Sequence, residues 1–166
     1  MTPTLPAATF PALGQIYARL GELLSVHADL ATAYAVPGLW LDPTGPATRR
    51  QVNPLRFFLD AIETIARQPA QPLVTGPAGG GWSQHAVAYN LFPRAAAAFD
   101  HDGDGTLALP LNGQGWRETG TFLKCISLLP FLRWLGINTV YLLPITAVGQ
   151  DGHKGNLGSP YAIRNP

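Results

Sequence analysis

The sequence predicts an α/β chain in which a helical N-terminal segment precedes a strand–helix–strand unit. Three observations predict it. Apolar residues recur at three and four in two stretches before Gln68, as one face of a helix requires. A Pro/Gly-rich stretch follows at 67–81. Beyond it the pattern changes to short apolar runs rich in strand formers on either side of one capped helix.

The first helix is expected from Pro11 to Val36, with Leu13, Ile16, Leu20, Leu23, Leu24, His27, Leu30 and Tyr34 on one face, and Pro37-Gly38 ends it. The second is better marked. Asn53 suits an N-cap, Pro54 the first helical position, and Leu55, Phe58, Leu59, Ile62, Ile65 and Ala66 share a face. Neither apolar face carries a polar cluster, so both helices read as structural. "RQPAQPLVTGPAGGG" has little to bury and reads as a linker, and no Gly-Lys-Ser/Thr follows it to make a phosphate loop. The expected organisation is a helical segment over 1–68, a linker over 69–84 and an α/β portion over 85–166.

In that last portion "HAVAYNLFPR", residues 85–94, suits a buried strand through Val87, Tyr89 and Phe92. "TGTFLKCISLLPFLRWLG" reads as a helix capped by Thr119 or Thr121 and stopped by Gly136. Its apolar positions are Phe122, Leu123, Ile126, Leu129 and Leu135, and Pro130 predicts a kink or a broken turn. "INTVYLLPI", residues 137–145, is apolar enough for a parallel strand buried on both faces. In such units ligands gather at the carboxyl ends of the strands, which lead here into two long polar loops.

Composition narrows the function. Eleven Lys and Arg against ten Asp and Glu leave a formal charge of +1, with no basic stripe to follow a phosphate backbone, so nucleic acid is not an expected partner. A lone cysteine, Cys125, excludes an internal disulfide framework. The four histidines lack metal-ligand spacing, and no Gly-x-Ser-x-Gly elbow is present. No secretory leader is evident at Met1 and no run of 18 apolar residues occurs, so a soluble, cytoplasmic chain with no membrane partner is expected.

The exception to this bland chemistry is "AFDHDGDGTL", residues 98–107. Asp100, Asp102 and Asp104 alternate with spacers, Gly105 permits a sharp bend, and the Thr106 carbonyl can add a fourth oxygen, a donor set suited to a hard cation such as calcium. Leu111 stands where an EF-hand needs Glu, so an EF-hand is not expected. The competing reading is a solvated Asp/Gly turn, with His101 pointing to solvent.

Three stretches in order, "VAYNLFPRAAAAFDHDGDGTL", "LLPFLRWLGINTVYLLPI" and "GSPYAIRNP", resemble the opening of the catalytic barrel in the α-amylase family of glycoside hydrolases. The resemblance covers about residues 85–166. It implies the start of a (β/α)8 barrel, its first two strands and first helix, preceded by the helical segment; about 250 residues would complete such a barrel. It implies structural calcium held by Asp100, Asp102, Asp104 and the Thr106 carbonyl, and Tyr161 as a ring that stacks on substrate sugar. Ala108 and Ala162 stand where the family often has acids.

Glycoside hydrolysis needs two carboxyl groups, about 5 to 5.5 Å apart for retention or roughly 6.5 to 9.5 Å for inversion. In the resembled family these lie on later strands. No catalytic residue is therefore expected before Pro166, and this stretch alone is expected to be inactive. The function implied is action on α-glucosidic bonds of an α-glucan or oligosaccharide, by hydrolysis or transfer. The alternative is a non-catalytic, calcium-stabilised, amylase-like binding or structural module.

Overall fold

A computed structural model describes residues 11–30, 32–68, 81–151, 154–155 and 157–164. The linker expected over 69–84 falls largely outside the described residues; its end, Gly81–His85, is a 3-10 turn.

Helix α1 spans Pro11–Val26 and buries Tyr17 and Leu20. It stops ten residues short of the predicted Val36, although the three-and-four pattern continues through Leu30 and Tyr34. Here the backbone has better partners than a helix offers. The His27 and Ala28 carbonyls each accept from Asn53 Nδ2 at 3.3 Å. Ala35–Pro37 then forms strand β1, antiparallel to β2, Arg49–Gln51, with Ala35 opposite Gln51. Ala35 and Val36 are fully buried, whereas Leu30 is 41% exposed. The single helical turn α2, Gly38–Leu41, lies between the two strands.

Helix α3, Pro54–Ala66, begins where the sequence places it. Asn53 Oδ1 accepts from the N–H groups of Leu55 and Arg56 at 3.0 and 3.3 Å, and Pro54 occupies the first turn, where no N–H is needed. Its buried side chains are Phe57, Phe58, Leu59 and Ile62. They form one core with Tyr17, Leu20, Tyr34 and Val36, and Tyr17 OH donates to Glu63 Oε1 across the helix pair. Asn53 both caps α3 and fastens the end of α1. Asn53→Ala is therefore expected to cost about 1–2 kcal/mol in chemical denaturation, and Asn53→Asp, which keeps the cap acceptor, to recover most of that.

Strand β3 is Ala88–Leu91, followed by the short helix α4, Pro93–Ala96; it is not the buried strand expected, since only Leu91 is buried and Ala88 and Asn90 are exposed. Helix α5, Phe122–Trp134, leads to strand β4, Thr139–Leu142, which lies parallel to β3 with Ala88 opposite Thr139 and Leu91 opposite Leu142. Thr121, rather than Thr119, caps α5 by accepting from the Lys124 N–H at 3.2 Å. Gly136 ends it at φ +85°, a backbone conformation that a Cβ disfavours.

Two expectations for α5 are corrected. The helix has no broken turn at Pro130 and runs on to Trp134. Proline removes one ladder bond there, but Leu128 and Leu132 on either side are anchored in a second core with Leu91, Ala97 and Cys125. The buried face is also a different one. It comprises Cys125, Leu128 and Leu132 with Lys124 and Ser127, while Phe122 and Leu135 are 54% and 51% exposed. Because this helix is apolar nearly all round, spacing could not choose its face. Leu123 and Ile126 meanwhile lean on the α1–α3 core, so α5 touches both clusters.

Strand β4 is not buried on both faces as predicted. Val140, Tyr141 and Leu142 are 37%, 59% and 48% exposed, because among the described residues β3 is its only neighbour. Farther on, Val148 bridges Ile163, and Gly149 N–H donates to the Ala162 carbonyl at 2.7 Å. Among the described residues no helix is long and apolar enough to cross a membrane.

Candidate functional site: the acidic loop after β3

The polar connection between α4 and α5 folds back on itself. Phe99 N–H donates to the Glu118 carbonyl at 2.9 Å, and Asn112 N–H to the Trp116 carbonyl at 2.9 Å. Within it the aspartates act first on their own turn. Asp100 Oδ2 accepts from Gly105 N–H at 2.9 Å and its Oδ1 from Gly103 N–H. Asp102 Oδ1 accepts from Asp104 N–H at 3.3 Å. Asp104 Oδ1 takes both the N–H and the hydroxyl of Thr106 at 2.8 Å.

The carboxylates that converge are Asp100, Asp102 and Glu118, whose oxygens lie within 4.8 Å of one another. Two of the four expected ligands, Asp100 and Asp102, thus converge with Glu118, which is fully buried; Asp104 Oδ1 is bonded by the N–H and hydroxyl of Thr106, not by its carbonyl. Glu118 Oε1 accepts from His101 N–H and Asn112 Nδ2, both at 3.0 Å, and its Oε2 from Ala108 N–H at 2.9 Å. Asn112 Nδ2 also donates to Asp102 Oδ2 at 2.8 Å, joining the buried acid to the outer one. In sequence Glu118 was only a solitary acid before a helix cap.

As a donor set for a hard cation, these three residues fit in kind. They are oxygen donors, and each aspartate oxygen carries one described hydrogen bond, leaving lone pairs over. The charges respond to their surroundings. Burial pushes the Asp100 carboxyl up, but the Gly105 and Gly103 N–H groups and the Arg49 guanidinium outweigh it and hold it below the usual carboxylate range. Asp102 is raised, by burial first and by the Asp104 and Glu118 charges, against the Asp104 N–H.

His101, expected in solvent, is fully buried. Its ring stacks on Tyr34 with centroids 4.0 Å apart. The Ala35 carbonyl can only accept, so the Nδ1 at 2.6 Å from it carries the proton, and Nε2 is left to accept from Tyr34 OH at 3.2 Å. Burial, the main cause, pulls this imidazole down to about 4, so it is neutral near pH 7. Lys124, on the first turn of α5, is also buried. Its Nζ donates to the Arg117 and Thr119 carbonyls at 2.6 and 3.0 Å, and burial draws its pKa to about 8 against the opposing pull of Glu118.

Tyr161 is 67% exposed, its N–H donating to Ser159 Oγ at 3.3 Å. No described hydrogen bond, ion pair or ring contact joins it to the acidic loop. A groove of about 440 Å³ between α2, α3 and α5 is separate again; its charged lining is the Arg56–Asp60 pair at 3.9 Å.

The chain is similar in sequence to maltosyltransferases. An alpha-1,4-glucan:maltose-1-phosphate maltosyltransferase of Mycobacterium tuberculosis is 32% identical over 126 residues, 72% of this chain. Proteins of the same name from Mycolicibacterium smegmatis and Rhodospirillum rubrum are 28% identical over 120 residues and 41% over 54, covering 63% and 26% of this chain. The match spans 16% of the length of the mycobacterial proteins and 8% of the Rhodospirillum one. No protein-family model matches the chain.

Proposed function

We propose that this chain is part of an α-amylase-family enzyme that transfers maltosyl units from maltose 1-phosphate to an α-1,4-glucan. The observation that carries the reading is the similarity over 126 residues to proteins named for that reaction. Transfer, rather than the hydrolysis left open by the sequence, is favoured because the relatives are named as transferases. In the reaction a glucan hydroxyl takes the maltosyl unit and inorganic phosphate leaves.

Residues 85–166 are proposed to begin the catalytic (β/α)8 barrel. The parallel β3–β4 pair joined through α5, the acidic loop after β3 and the exposed residues of β4 support that placement. No residue of this stretch is proposed as catalytic. Glu118 is enclosed and cannot reach a glycosidic oxygen, and Asp100 and Asp102 are tied into their turn. Tyr161 is proposed as a ring for stacking on sugar; its exposure leaves it accessible.

Calcium is the proposed structural cation, with Asp100, Asp102 and Glu118 holding it; when bound, it would neutralise their mutual repulsion. The readout is thermal melting of the complete polypeptide. Calcium should raise the melting temperature of the wild type, and Asp102→Asn should remove most of that rise. An unchanged melting temperature with calcium would end the metal assignment. For the transfer itself, maltohexaose incubated with maltose 1-phosphate and the complete polypeptide should gain mass in steps of two hexoses. Shortening of the maltohexaose alone would indicate a hydrolase, and no change at all the non-catalytic module.

A further inference from the structure

Strand β2 exposes all three of its residues, yet Arg49 does not simply reach into solvent. Its Nη1 donates to the Asp100 carbonyl at 2.6 Å, and its Nη2 donates to the carbonyl of His101. The same Nη1 lies 3.7 Å from Asp100 Oδ1, and the guanidinium carbon stands 5.8 Å from the centre of the Phe99 ring. One planar fork thus spans two consecutive carbonyls, which a lysine ammonium, a single point of charge, does not reproduce.

The surrounding backbone is shaped for this contact. The Asp100 carboxylate turns inward to the N–H groups of Gly103 and Gly105, leaving the main-chain oxygens to Arg49. Gly103 has φ +82°, which disfavours any residue with a Cβ, and a Cβ there would lie 2.9 Å from Arg49 Cζ and push the guanidinium aside. The His101 carbonyl also accepts from Ala35 N–H at 3.0 Å, and the His101 ring returns a bond to the Ala35 carbonyl. The β1–β2 hairpin therefore grips the loop from both of its strands.

We propose that Arg49 is the positioning residue of the acidic loop: through its guanidinium the N-terminal hairpin sets the backbone of residues 100–103 and with it the placement of Asp100 and Asp102. The assignment rests on these contacts and does not depend on the transfer reaction. A ligand that binds only the ordered loop must, by linkage, also strengthen docking of the hairpin.

The test is residue-resolved amide hydrogen exchange on the full chain in EDTA, comparing wild type with Arg49→Met, Arg49→Lys and Arg50→Met. Arg50 is adjacent on the strand, and its side chain points to the opposite face. In Arg49→Met the amides of Gly103, Gly105 and Thr106 should exchange at least about tenfold faster, with those of α1 and α3 unchanged. Arg49→Lys should recover part of the protection, and Arg50→Met should match wild type. If Arg49→Met unfolds the chain, the same local pattern is expected at reduced size in Arg49→Lys. Unchanged exchange at Gly103–Thr106, or acceleration spread evenly through α3 and α5, would overturn the proposal.

Discussion

Glu118→Ala is expected to cost about 3–5 kcal/mol of folding stability in urea denaturation with a chelator present. The carboxylate is fully buried and accepts three hydrogen bonds, from His101 N–H, Ala108 N–H and Asn112 Nδ2. Alanine leaves the His101 and Ala108 N–H groups without their acceptor and Asn112 Nδ2 with Asp102 alone, and each orphaned buried group costs roughly 1–3 kcal/mol. Domains of this size are held by about 5–15 kcal/mol, so the variant should unfold at a much lower urea concentration than the wild type. Glu118→Gln keeps one acceptor oxygen but aims an amide donor at other donors, and should fall between. A loss below about 1 kcal/mol for Glu118→Ala would mean that the loop is not built around this acid.

The second large effect is expected at His101, for both truncation and pH. His101→Ala removes a ring stacked on Tyr34 and a 2.6 Å bond to the Ala35 carbonyl, at a cost of about 3–4 kcal/mol. The pH effect follows from the imidazole's low pKa of about 4 in the fold against about 6.5 for an ordinary imidazole. Between those values the unfolded chain binds a proton that the folded chain refuses. Stability therefore falls as pH drops from 6.5 toward 4, by up to about 3 kcal/mol. His101→Gln should lack this component, so subtracting its pH profile from that of the wild type isolates it from the carboxylates. Parallel profiles over that window would show that His101 can be protonated in place.

What the sequence revealed, and what it hid, divides by range. The start of α3 was legible because Asn53, Pro54 and the apolar face act within a few residues of one another. The acidic turn was legible as Asp and Gly at close spacing, and its self-bonding through Gly103, Gly105 and Thr106 is equally local. What closes the loop is distant. Arg49 lies 51 residues before Asp100, and Tyr34 lies 67 before His101. No periodicity carries such pairings, so a histidine among aspartates read as solvated and an isolated glutamate as incidental. Helix α1 shows the converse error: a local pattern carried on past Val26 into residues that the sheet and the loop had claimed.

These long-range contacts tie the helical segment to the acidic loop. Tyr34 stacks on His101, Trp116 meets Tyr34 edge-on at 5.1 Å, and Ala35 exchanges bonds with His101. The N-terminal residues thus form one wall of the loop proposed to hold calcium.

The most direct test of the proposed activity is inorganic phosphate release from maltose 1-phosphate by the complete polypeptide, with and without an α-1,4-glucan acceptor. The account predicts phosphate only when the glucan is present, in a one-to-one ratio with maltosyl units added to the chain ends. Phosphate absent in both reactions, with the glucan unaltered or merely shortened, would contradict it.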